Sequence, residues 1–279
     1  MEYLKNFDGE RLVVPCINPS ISMDVFKPLG TILSHSFMSC GFMPIRIAFL
    51  VIASVLLGPE VDIPNSIVFE SFVDFLSCHD SAKVKDALIN KSSFDKQVIL
   101  SILSRYDCTE MPNAENVKQL IFGVARHVLL GRPLGNLYKM RAGVPTPFKT
   151  FWSRYTVSDL FTVYKSLNAT SSSVLPLVTE PMGMIAAETR VFNYLLTFIS
   201  NMKDDELRLF LRFVTGSSVL ISDEIKICFN GLSGFARRPL AHTCGDTLEL
   251  SVAYDTFPEF EDEFKQVLSS EFAWIMDST

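Results

Sequence analysis

One thiol in a turn-forming context is the part of this sequence best suited to chemistry. Arg238-Pro239-Leu240-Ala241-His242-Thr243-Cys244-Gly245-Asp246 ends in a glycine–aspartate pair that favours a turn. Beyond it apolar and polar residues alternate, with Leu248 and Leu250 on one face of a predicted strand. A cysteine at a strand edge is open to a partner molecule, and as a thiolate it attacks carbonyl carbon. His242 stands two residues earlier. In an extended backbone both side chains leave on the same side, where an imidazole lowers the thiol pKa. The plainer expectation is that His242 holds the loop by bonding a backbone carbonyl. Thr243, next to the thiol, is a candidate for stabilising an oxyanion. Cys244, His242 and Thr243 are therefore the candidate catalytic residues.

Two flanking pieces have to position that turn. Upstream, Asp205-Glu206-Leu207-Arg208-Leu209-Phe210-Leu211-Arg212-Phe213-Val214-Thr215-Gly216-Ser217-Ser218 reads as a leucine- and phenylalanine-rich helix stopped by a threonine-glycine-serine turn. Downstream, Tyr254-Asp255-Thr256-Phe257-Pro258-Glu259-Phe260 leads into an amphipathic helix. The order resembles the C-terminal lobe of the HECT ubiquitin ligases, where such a helix precedes a proline-x-x-histidine-threonine-cysteine segment and a leucine-x-leucine strand. The resemblance implies that Cys244 takes ubiquitin from the thioester of a ubiquitin-conjugating enzyme and passes it to a lysine of a protein substrate. Thioester exchange is close to neutral in energy, so the protein's main task is to position the partners.

The composition fits this picture. A chain of 279 residues is long enough for one large domain or two lobes. The net charge of -6 offers no basic field for a nucleic acid. Six cysteines are scattered with no C-x-x-C and no zinc spacing, which suits reduced thiols in the cytoplasm or nucleus. No metal and no cofactor is expected. The first ten residues lack the apolar run of a signal peptide, and the apolar stretch 47–57 is too short to cross a bilayer, so no membrane partner is expected either.

Periodicity predicts an α+β protein with a mostly helical first part. Residues 11–16 read as a short strand. Ser20 or Ser22 caps a helix over 23–39 with Phe26, Leu29, Leu33 and Phe37 on one stripe, and an apolar helix runs to Leu57. Helices follow at 66–76, 81–88 and 94–105, the last capped by Ser92 or Ser93. Further helices are expected from 113 to about 130, from Pro133, and over 159–167 behind Ser158. Val144-Pro145-Thr146-Pro147 reads as a rigid loop. Asn168-Ala169-Thr170-Ser171-Ser172-Ser173 is small and polar and reads as a linker. Helices at 188–200 and 204–214, strands at 225–229 and 248–252, and a helix from Phe257 complete the chain. The acidic Glu259, Glu261, Asp262 and Glu263 suit a helix N-terminus better than catalysis.

By the resemblance, 1–172 is a partial HECT N-lobe and 173–279 a HECT C-lobe, with the hinge near 168–173. The region after Pro64 would dock the conjugating enzyme. Phe69, Phe72, Val73, Phe75 and Leu76 either form that face or simply fill the subdomain core. Four departures stand out. The first helices and strands of the family's N-lobe have no counterpart, as in a fragment, a truncated product or a divergent paralogue. Gly245 replaces the family's phenylalanine, and Asp246 its asparagine. Phe272 and Trp274 do not match the family's terminal phenylalanine in spacing. The alternatives to an active ligase are a HECT-like scaffold that binds ubiquitin or a conjugating enzyme, and a cysteine hydrolase. For the hydrolase there are only His35, His79, His127 and His242 to serve as base.

Overall fold

The computed structural model describes residues 6–16, 18, 20 and 22–270. The chain divides into two compact units, Met1–Lys165 and Ser166–Thr279. Helices dominate, with small sheets, as an α+β chain requires.

In the first unit, β1 (Phe7–Asp8) pairs antiparallel with β2 (Val14–Pro15). Ser22 caps a short 3-10 turn that opens α1 (Phe26–Cys40). The apolar α2 (Phe49–Leu56) is buried on every side, which accounts for its continuous hydrophobicity. Then come α3 (Asn65–Phe75), α4 (Cys78–Ile89), α5 (Lys96–Ser104), α6 (Val117–Arg126), α7 (Leu134–Gly143), α8 (Thr146–Trp152) and α9 (Val157–Ser166). The α1/α7 crossing depends on two glycines. A Cβ at Gly30 would fall 1.8 Å from the Met140 carbonyl oxygen, and one at Gly143 would fall 1.9 Å from that of Lys27. Thr31 adds a hydrogen bond to the Gly143 carbonyl at 2.7 Å. Arg141, whose pKa burial pushes down, closes the end of α2 by donating to the carbonyls of Val55 and Leu56.

Three local expectations need correction here. The proline pair at 145 and 147 does not make a loop: Pro145 caps α8, with Pro147 in its first turn, a position where the missing N–H costs nothing. The cap of α5 is Asp95, whose carboxylate accepts from the N–H groups of Gln97 and Val98, not Ser92 or Ser93. The cap of α9 is Thr156, which exchanges hydrogen bonds with Asp159, not Ser158. In the stripe on α3, Phe72, Val73 and Phe75 are buried along with the following Leu76, and Phe72 and Phe75 meet Tyr106. Phe69 is half-buried against Phe122. The stripe is core.

The second unit starts with the small polar stretch, which is not a free linker. Ala169 is fully buried, Asn168 accepts from Arg208, and Thr170 caps α10 (Ser171–Val174) through a capping box. After β3 (Val178–Thr179) come α11 (Ala186–Asn201) and α12 (Asp204–Thr215), then β4 (Ile225–Asn230), β5 (Leu240–His242), β6 (Thr247–Ser251) and α13 (Phe257–Ser269). The sheet runs in the order β3-β4-β6-β5, with β5 antiparallel to β6 and the other pairs parallel. Ile225, Ile227, Leu248 and Leu250 face a core shared with Phe198 from α11, Phe210 from α12, and Phe260 and Phe264 from α13. Each of these buried phenylalanines contributes about 2 kcal/mol. Lys226 and Cys228 point to the exposed face, as the two-residue period demands.

Candidate acceptor-thiol site

Cys244 sits in a single 3-10 turn, Thr243–Gly245, between β5 and β6, and its residue is exposed. Asp246, the next residue, takes the left-handed conformation (φ 47°, ψ 42°). Among residues with a side chain, asparagine and aspartate tolerate this best. Aspartate in place of the family's asparagine therefore preserves the bend. Gly245 has no such need. Its φ is not positive, and a Cβ there would meet only Thr247 Oγ1, at 3.5 Å. The turn is tied at both sides: Thr247 Oγ1 donates to the Gly245 carbonyl at 3.0 Å, and the Lys226 N–H donates to the Asp246 carbonyl at 2.9 Å.

The second support is the end of α12. Thr215-Gly216-Ser217 closes the helix with Gly216 left-handed at φ 75°, and the Thr215 hydroxyl accepts the Ser217 N–H. Thr243 lies against this cap. A Cβ on Gly216 would be 3.7 Å from Thr243 Cβ. The two sequence motifs are thus one structural unit.

The third support holds the segment before β5. The Arg237 guanidinium pairs with Glu259 and Glu263, each at 2.8 Å, and lies over the Tyr254 ring at 4.8 Å. Tyr254 Oη donates back to the Arg237 carbonyl at 3.1 Å. Two of the four acidic residues near the start of α13 are occupied by this clamp, and Glu261 pairs with Lys265.

His242 departs from both expectations. The extended strand stops at His242, so the alternation that would put its ring and the thiol on one side ends before Cys244. Its Nε2 bonds a side chain, Glu249 Oε2 at 3.2 Å, in place of a backbone carbonyl. Glu249 Oε1 also accepts from Asn230 Nδ2 at 2.8 Å. Sequence reasoning missed Glu249 and Asn230. The signal lay in the alternation of β6, which turns Glu249 away from the core, but three-residue β5 was not legible as its partner. Phe272 and Trp274 lie outside the described residues.

The family model described as HECT-domain (ubiquitin-transferase) matches residues 5–273. The chain belongs to the HECT family. HECT membership gives it a ubiquitin-transferase role at the level of the family, and with it the general association with ubiquitin-conjugating enzymes and substrates. No match was found among curated proteins. Among the described residues of this HECT protein, no helix is long and apolar enough to cross a membrane.

Proposed function

We propose that this HECT protein forms a ubiquitin thioester on Cys244 and hands the acyl group to a substrate lysine. The observation that carries the reading is an exposed cysteine held on a turn by β4, β6 and the α12 cap, within a chain of this family. Cys244 Sγ bonds to the C-terminal carbonyl carbon of ubiquitin as the bond to the conjugating enzyme's sulfur breaks. The proton given up by Cys244 ends on that leaving thiolate. A lysine amine then attacks the new thioester, loses a proton, and forms the isopeptide bond as the Cys244 thiol is regenerated. In this reading Thr243, next to the thiol, assists the oxyanion. Strand β5 is the outer strand of its sheet, and Leu240 on it is 53% exposed. That edge suits an extended peptide such as a ubiquitin tail approaching the thiol. In this reading the first unit docks the conjugating enzyme and the second carries the thiol.

The test is a thioester assay with ubiquitin, activating enzyme, ATP and a panel of conjugating enzymes, read on non-reducing gels beside Cys244→Ala and Cys228→Ala. A thiol-sensitive adduct lost only with Cys244→Ala is the expected result. Absence of any adduct from the folded protein would instead favour the scaffold.

A further inference from the structure

On the exposed face of the sheet, Glu249 is the meeting point of β4, β5 and β6. It lies opposite Cys228 on β4 and Leu240 on β5, and its two carboxylate oxygens are divided between Asn230 and His242. Asn230 is itself fixed, because its Oδ1 accepts the Leu232 N–H at 3.0 Å while its Nδ2 serves Glu249. The amide therefore cannot flip without losing both bonds. An ionised carboxylate only accepts, so a neutral His242 must carry its proton on Nε2, which leaves the lone pair on Nδ1. His242 and Cys244 are two residues apart around one turn, so their Cα atoms are separated by at most about 7 Å. The Asn230 and His242 bonds also hold the Glu249 carboxyl below the usual carboxylate range, keeping it ionised at neutral pH.

We infer that Glu249, anchored by Asn230, is a positioning residue that fixes the ring and tautomer of His242 so that Nδ1 is the base beside the Cys244 turn. The inference rests on Cys244 being the acceptor thiol. As Cys244 Sγ bonds to the ubiquitin carbonyl carbon, Nδ1 takes the thiol proton, and it returns that proton to the departing thiolate of the conjugating enzyme.

Two readouts on the full chain test it. The first is the pair of His242 ring nitrogens in long-range proton–nitrogen spectra at alkaline pH, assigned by loss of the signal in His242→Gln. Nε2 should carry the proton in the wild type, and Glu249→Ala should move both nitrogens towards averaged shifts. The second is single-turnover transfer from a charged conjugating enzyme. Glu249→Ala should slow it about tenfold with an unchanged thermal midpoint, and Glu249→Asp should recover part of the rate. An active wild type with unmoved ring nitrogens, or with a Glu249→Ala variant as fast as itself, overturns the inference alone. A wild type that forms no thioester removes the acceptor-thiol reading, and the inference with it.

Discussion

Thr243 packs on Gly216, so the residue before Cys244 rests on the C-terminal cap of α12. The contact joins two stretches separated by 26 residues of sequence. Gly216 is there for its left-handed backbone, since the space around it would accept a methyl group. Gly216→Ala should therefore cost about 1 kcal/mol from backbone strain, measured by urea unfolding, and should slow thioester formation as far as relief of that strain shifts the cap on which Thr243 rests.

Packing and hydrogen bonding by Thr243 can be separated. Thr243→Val keeps the branched shape against Gly216 and removes the hydroxyl, whereas Thr243→Ser does the reverse. If the hydroxyl stabilises an oxyanion, Thr243→Val should lose about 2 kcal/mol of transition-state stabilisation, or roughly thirtyfold in single-turnover rate. Thr243→Ser should stay close to wild type. The opposite order would assign Thr243 to packing.

Asp246 tests the bend itself. Asp246→Asn retains the left-handed preference and should match the wild type in both stability and transfer. Asp246→Val puts a β-branched side chain at φ 47° and should cost about 2 kcal/mol, seen as a lower unfolding midpoint with reduced labelling of Cys244 by ubiquitin.

Gly245 invites the converse experiment. Its φ is not positive and a Cβ there would meet only Thr247 Oγ1 at an ordinary contact distance, so Gly245→Phe should change stability by no more than about 0.5 kcal/mol. Restoring the aromatic supplies an apolar contact for the incoming acyl group, and the rate of ubiquitin transfer should rise. A destabilised or slower variant would show that the turn has been rebuilt around glycine.

Cys228, on the exposed face of the sheet, should be a poor nucleophile at neutral pH. Burial first, and then the Glu249 carboxylate, push its pKa up, and its sulfur sits 3.8 Å from the Leu248 carbonyl oxygen. Lys226 shares that face but is paired with Glu224 at 3.0 Å. A raised pKa means that the thiolate appears only at higher pH than in an ordinary cysteine. Glu249→Gln should shift the pH profile of Cys228 alkylation downwards, though not fully, because burial remains. Mass-spectrometric rates across pH at this one peptide provide the measurement.

Much of the second unit was legible in the sequence because its signals are local and periodic. Leu207, Phe210, Leu211 and Val214 on α12, and Phe260, Phe264 and Leu268 on α13, form stripes that only a helix buries. The alternation of β4 and β6 gave their faces. The turn at Cys244 followed from the residue types after it. What escaped was non-local or short. Strands β3 and β5 are two and three residues long, too brief for any period to emerge, and they exist because β4 and β6 template them. The polar segment at 168–173 looked like a linker because its composition is poor in core residues. A capping box and the buried Ala169 nevertheless fold it into the second unit. The Glu249–His242 pair depends on β5 register, which no single stretch contains.

The strand order sets when this thiol can exist as a site. β6 lies between β4 and β5, yet it follows both of them in sequence. Until residues 247–251 insert, β5 has no neighbour, the Gly245 and Asp246 carbonyls lack the bonds that shape the turn, and Glu249 is absent. A chain emerging from the ribosome carries Cys244 as an ordinary unfolded cysteine until β6 has followed it out. Assembly of the turn is therefore a late folding event that depends on contacts distant in sequence.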